Sequence, residues 1–116
     1  AMHDPTEGGI AMGLHELATA SEVGMKLPID AIPILPVTQI ICSVFGLNPL
    51  GLISSGALLL TIPPDRWPAL KKEMQSQEIK THEIGVVQEG RRIHAFVEGK
   101  PAPFTPSETD ELTKVR

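Results

Sequence analysis

An α+β fold, a mixed β-sheet with helices packed on it, follows from three observations on the sequence. A polar, glycine-rich loop, His3-Asp4-Pro5-Thr6-Glu7-Gly8-Gly9, runs directly into a stretch with Ile10, Leu14, Leu17 and Ala18 at helical spacing. A continuous apolar run, Ala57-Leu58-Leu59-Leu60-Thr61-Ile62, is bounded by Gly56 and by Pro63-Pro64, as in a strand covered on both faces. Segments of helical period and of period two then follow in the order helix, strand, helix, strand, helix, hairpin, which suits a sheet with helices laid on it.

The first helix is expected over residues 8–21, with Leu14, Leu17 and Ala18 buried and Gly24 just beyond its end. Met25, Leu27 and Ile29 alternate with Lys26 and Pro28, which reads as a half-buried strand; Pro28 predicts that it lies at an edge or ends early. A proline-punctuated loop spans residues 30–36. Ile40, Ile41, Val44 and Phe45 recur at helical spacing, Gly46 supplies a stop, and Asn48-Pro49 turns the chain. The apolar run 57–62 is the candidate central strand. Asp65 is expected to cap a helix reaching to about Gln75, in which Trp67, Leu70 and Met74 share a face and Pro68 falls in the first turn. Residues 83–87 and 92–97, joined by Gln88-Glu89-Gly90-Arg91, read as a β-hairpin. Beyond Gly99, Lys100-Pro101-Ala102-Pro103 is extended, and Ser107-Glu108-Thr109-Asp110 can cap a last short helix.

The length of 116 residues suits one domain, residues 1–116 with 100–116 as a tail, and is short for a two-domain enzyme. The net charge of −4, from 10 Lys+Arg against 14 Asp+Glu, with three Phe, one Trp and no Tyr, argues against nucleic acid, because both a basic footprint and stacking aromatics are missing. Cys42 is the single cysteine and cannot form an intramolecular disulfide, so the cytoplasm is the expected compartment. No run approaches the ~18 apolar residues of a membrane span, and the first residues lack the basic and apolar regions of a signal peptide, so none is expected here. The glycine-rich loop lies so near residue 1 that the chain is expected to be a fragment of a longer protein.

The loop carries a chemical possibility. The first N–H groups of a helix lack intrahelical partners and sit at the positive end of the peptide dipoles, and Gly8 and Gly9 keep side chains away from them, as a phosphate or carboxylate would require. The alternative is that Asp4 or Thr6 caps the helix and the glycines only allow a tight entry. A second loop, Ile53-Ser54-Ser55-Gly56, offers hydroxyls and N–H groups next to a glycine, suited to phosphate oxygens or to an ordinary turn. The two loops are expected to converge on one edge of the sheet.

Taken in order, His3-Asp4-Pro5-Thr6-Glu7-Gly8-Gly9-Ile10-Ala11, the helix end at Gly24, Asp30-Ala31-Ile32-Pro33, Phe45-Gly46-Leu47-Asn48-Pro49-Leu50 and Ser54-Ser55-Gly56 resemble the C-terminal domain of the aminoimidazole ribonucleotide (AIR) synthetase superfamily. The resemblance covers roughly the first ninety residues and lies in the ordered spacing more than in any one piece. It is closest to the hydrogenase-maturation branch, whose second half opens on His-Asp-Pro-Thr-Arg-Gly-Gly-Leu-Ala; Glu7 stands where that branch has arginine. The resemblance implies an α/β/α-layered domain. It also implies an ATP-dependent parent in which ATP and magnesium are held mainly by an N-terminal domain, with the parent a homodimer and a small-molecule or anionic ligand between the domains. No cofactor is expected to bind this chain tightly by itself.

The implied ligand contacts are His3, Asp4, Thr6, Gly8, Gly9, Ser54, Ser55 and Gly56, with His3 as the one candidate for proton handling. Two departures bear on the chemistry. The branch has Ala-Asn-Glu-Gly where this chain has Ile53-Ser54-Ser55-Gly56, and a serine without a neighbouring base is neither a proton acceptor nor an activated nucleophile at neutral pH. Selenophosphate synthetases of the superfamily do carry a Thr-Ser-Gly-Gly loop there. The branch carries its carbamoyl group on a C-terminal cysteine, and this sequence closes Thr113-Lys114-Val115-Arg116, so that acceptor is expected to be lacking.

His3, His15, His82 and His94 match no zinc spacing, so no metal site is expected; His15 and His94 read as surface residues. Cys42, among Ile40, Ile41 and Val44, reads as a small buried filler. Arg66, Lys71, Lys72, Arg91 and Arg92 read as solvated cations. Two functions from different classes follow: the acceptor-side domain of an ATP-dependent synthetase-like protein, or a non-catalytic binding or assembly module that keeps the fold.

Overall fold

A computed structural model describes residues 1–115, and the part of the tail expectation that falls on Arg116 lies outside them. In chain order the elements are β1 (Met2–His3), α1 (Gly9–Ser21), β2 (Gly24–Pro28), α2 (Pro36–Phe45), β3 (Leu59–Leu60), α3 (Trp67–Ser76), β4 (Val86–Gln88), β5 (Ile93–Val97) and β6 (Lys100–Ala102). Short 3₁₀ turns occupy Ile29–Ala31, Pro49–Gly51, Pro64–Arg66 and Glu111–Lys114. The class is α+β: a mixed four-stranded sheet in the order β4-β2-β5-β6, a two-stranded sheet of β1 and β3, and three helices.

Two strand expectations are corrected, the central strand and the hairpin. The centre of the main sheet belongs to β2, antiparallel to β4, and to β5, parallel to β2, and not to the apolar run 57–62. That run yields only β3, whose Leu59 is buried while Leu58 is 57% exposed. Continuous hydrophobicity therefore misled, because Leu59 is the one residue of the run that is buried in the core. Of the two alternatives for Pro28, the early end is the one realised: β2 is interior and stops at Pro28, which lacks an N–H to continue the ladder that Met25 and Leu27 begin. Residues 86–88 and 93–97 do not pair as a hairpin, because β2 lies between them. Two glycines let β2 in. A Cβ on Gly24 would stand 2.8 Å from the Arg92 carbonyl oxygen, and one on Gly85 would stand 2.7 Å from that of Lys26. The true hairpin joins β5 to β6 through Glu98 and Gly99, both at positive φ, so residues 100–102 are a strand and not merely extended tail.

The helices follow the sequence periodicity, but their ends and burial differ. In α1, Ala11, Leu14, Leu17 and Ala18 are buried and meet Met25 and Leu27 of β2, Ile32, Leu50 and Leu59 in one core. The helix stops at Glu22, in the left-handed region, two residues before Gly24. In α2 only Cys42 is buried, and the apolar residues Val37, Ile40, Ile41, Val44 and Phe45 are all exposed. Asp65 does not cap α3 by its side chain: it lies within the preceding 3₁₀ turn. Trp67, Leu70 and Met74 are the half-buried positions of α3, as their shared face predicts.

Candidate functional site

β1 and β3 bring the two glycine loops together. Their register sets His3 opposite Leu59, so the chain leaving β1 and the chain entering β3 lie at the same end of the pair. There the Thr6 carbonyl accepts hydrogen bonds from Gly9 N–H at 3.1 Å and from Ser54 N–H at 3.3 Å, joining loops that are far apart in sequence. The expected convergence is thus realised, on the small sheet. The Ser54 carbonyl accepts from Ala57 N–H at 3.1 Å, closing a turn with Ser55 and Gly56 at its corners, both exposed. Gly56 has φ 97° and open space where a Cβ would stand. The Ser54 hydroxyl is buried without a hydrogen-bond partner.

The entrance of α1 is capped by main chain and by a distant carboxylate. Gly8, in the left-handed region, is the N-cap, and neither Asp4 nor Thr6 contributes a side-chain cap. Instead Gly8 N–H donates to Asp110 Oδ2 at 2.9 Å, and the other oxygen of that carboxylate accepts from Leu112 N–H at 3.0 Å. Glu111 Oε2 accepts from Asn48 N–H at 3.2 Å, and Lys114 bridges Glu111 at 2.9 Å. Asp110 caps the Glu111–Lys114 turn, as the tail reading allowed, and it also holds the mouth of α1. Sequence inspection missed that second role, since no local signal links residues so far apart.

The same contacts give Gly8 and Gly9 a packing reason to lack side chains. A Cβ on Gly8 would stand 2.5 Å from the Ser107 carbonyl oxygen, and one on Gly9 would stand 2.4 Å from the carbonyl oxygens of both Leu50 and Leu52. The space the glycines leave is filled by the chain's own backbone. Pro5 is buried and lies 2.6 Å from where a Cβ of Gly13 would be, which presses the loop against α1.

Asp4, Thr6 and Glu7 are exposed on the outer side of the loop, and His3 Nε2 lies 3.6 Å from Glu16 Oε1. Asp4, Glu7, Asp110 and Glu111 make the surroundings acidic, which offsets the positive end of the helix. His15, His82 and His94 are exposed and scattered. Among the described residues no three His, Cys, Asp or Glu side chains group to hold a metal ion. Arg66, Lys71, Lys72, Arg91 and Arg92 are exposed, with Arg91 4.0 Å from Glu22. An open groove of about 370 Å³ lies by the end of α3, lined by Gln75, Glu78 and His82, and a smaller apolar cavity lies between α1 and β2; neither includes a residue of the two loops. No helix among the described residues is long and apolar enough to cross a membrane.

Comparison with known proteins places this geometry. Residues 1–98 match the model of the family described as AIR synthase related protein, C-terminal domain. The chain is 35% identical to the putative hydrogenase expression/formation protein MJ0676 of Methanocaldococcus jannaschii, over 89% of this chain and 35% of that protein. Among solved structures, it superposes on Escherichia coli HypE, a hydrogenase maturation protein, with a TM-score of 0.84 at 22% identity, covering all of this chain and 38% of that one. It also superposes on a hydrogenase maturation protein HypE in complex with ATP, with a TM-score of 0.82 at 25% identity, covering 94% of this chain and 36% of that one. The chain spans between 18% and 35% of the length of the first curated relatives it matches.

Proposed function

Because the chain belongs to the family of AIR synthase related protein C-terminal domains, we propose that it is the phosphate- or substrate-contacting domain of an ATP-dependent, synthetase-like protein related to hydrogenase maturation. The observation that carries this reading is the junction at Thr6, where one carbonyl ties the entrance of α1 to the Ser54 turn. Two segments rich in N–H groups and hydroxyls are thereby held on one side of the domain. The proposed contacts are His3, Asp4, Thr6, Gly8, Gly9, Ser54, Ser55 and Gly56. Of these, the Thr6 and Ser55 side chains stand in solvent, where a phosphate or carboxylate can reach them. Their role is positioning and charge stabilisation, sufficient for a domain facing a phosphoryl group.

Among the described residues the carboxylates and histidines are too scattered to fit magnesium. ATP and magnesium are therefore assigned to another part of the parent, its N-terminal domain, in a homodimer when full length. That a HypE has been solved with ATP supports the ATP part of this reading. The assignment of residues 1–116 to one domain belongs to the same proposal.

Calorimetry of this chain with ATP and magnesium, paired with a phosphate-release assay, tests the division of labour. The expected result is no tight nucleotide binding and no turnover, with weak binding of inorganic phosphate that Ser55→Ala weakens further. Magnesium-dependent tight binding or turnover by this chain alone would overturn it.

Two observations favour a second reading, a non-catalytic module: Asp110 already holds the Gly8 N–H, and among the described residues the buried Ser54 hydroxyl has no hydrogen-bonded base to activate it. Catalytic turnover by the parent protein separates the two readings.

A further inference from the structure

We propose that the outer face of α2 is a self-association surface, through which two copies of this chain pair in a two-fold dimer, α2 against α2. Val37, Ile40, Ile41, Val44 and Phe45 stand at positions i, i+3, i+4, i+7 and i+8, the apolar stripe that an amphipathic helix ordinarily turns to its own core. Here the stripe faces outward. The helix meets the rest of the chain along its other side, where Cys42 is buried and Thr38 half-buried, while Ile40 is 65% and Val44 74% exposed. Leu35, at the helix N-cap, is exposed as well. The surface is separate from the two glycine loops, and it stands or falls independently of the anion-contacting reading above.

Charge and area select a second copy as the occupant. No Asp, Glu, Lys, Arg or His lies between Asp30 and Asp65, so α2 and its flanking segments are uncharged in a chain of net charge −4. Copies that carry the same net charge repel one another, and they meet most favourably where neither presents any. A different protein would be selected largely by complementary charge, and the stripe offers none to match. The five side chains of the stripe present on the order of 500 Å² of apolar surface, within the range of the largest patch that a monomer leaves bare. With a rim around it, the face approaches the ~800 Å² that each partner buries in a standard interface. Two-fold pairing uses the same stripe on both sides, and homodimer interfaces are more apolar than those between unlike partners. The two-fold axis then passes near Ile40 and Ile41, the middle of the stripe, and the two helices pack ridge into groove.

The test is sedimentation equilibrium of the native chain and of Ile40→Lys, Ile40→Glu and Val44→Lys, over concentrations of about 5–200 μM. The expected result is that the native mass rises to that of two copies and no further, and that each substitution weakens the dimer at least about thirtyfold. Raising the salt concentration should not weaken the native dimer, because no charge pair holds it. An equimolar mixture of Ile40→Lys and Ile40→Glu should regain association, since unlike charges then face each other near the axis. Urea unfolding at a dilution where the native chain is monomeric should be the same for all four proteins, which ties the lost mass to a lost contact and not to lost folding. A native chain that stays monomeric at about 200 μM would overturn the proposal and leave the stripe to the rest of the parent protein or to a different protein. Association that survives all three substitutions, or that grows beyond two copies, would overturn it by placing the contact on another face. No regain in the mixture would overturn the facing of α2 on α2, and unfolding of all three variants in dilute solution would overturn the proposal by showing that the stripe is covered within one copy.

Discussion

Gly9 and Gly56 both hold positive φ, 67° and 97°, yet they answer to different constraints. Gly9 is enclosed by two carbonyl oxygens, whereas Gly56 faces open space. Gly56→Ala should cost only the conformational strain, about 1 kcal/mol. Gly9→Ala adds a clash with backbone that cannot rotate away, and should cost upward of about 3 kcal/mol or prevent folding. Urea unfolding of the two variants gives the comparison, and equal losses would contradict the packing described for Gly9. Cys42 makes a further residue-scale case. It is 2% exposed in an otherwise exposed helix, as the aliphatic neighbours in sequence suggest. A thiol reagent should modify the native chain slowly and the urea-unfolded chain at once, and Cys42→Ser should cost about 1–3 kcal/mol for burying a hydroxyl.

At the scale of elements, α1 and α2 have similarly apolar sequences and opposite environments. Both were legible as helices: the 3.6-residue period located α1 and α2, and Gly46, at φ 66°, ends α2 where the sequence says it should. What the period could not supply is which apolar stripe finds a partner. Leu14 and Leu17 face β2 and the core, while Val37, Ile40, Ile41 and Val44 remain exposed. Leu17→Ala should therefore destabilise by about 2–5 kcal/mol. Ile40→Lys and Val44→Lys should stay within about 0.5 kcal/mol of the native chain despite replacing larger hydrophobes with charge. Thermal or chemical unfolding of the three variants decides it, and a large loss in the α2 variants would mean that this face is covered in the folded chain.

For the whole molecule, the order β4-β2-β5-β6 gives β2 and β5 partners on both sides, and α1 packs against β2. Hydrogen exchange should accordingly be slowest at Met25 and Leu27 and fastest in 107–115, and the reverse order would contradict the sheet assignment. By itself the sequence determined the α+β class, the positions of three helices, the strand at Met25–Leu27 and the turn chemistry of the two glycine loops. Those features depend on local period, on φ preferences and on proline, all readable within a dozen residues. Only the tertiary structure decided that β2 and not the 57–62 run takes the centre, that β2 separates the expected hairpin strands, and that Asp110 closes the helix entrance. Each of those outcomes is a choice among partners distant in the chain, made by which pairing buries Leu27 and gives the buried Gly8 N–H an acceptor, and local sequence carries no record of such a choice.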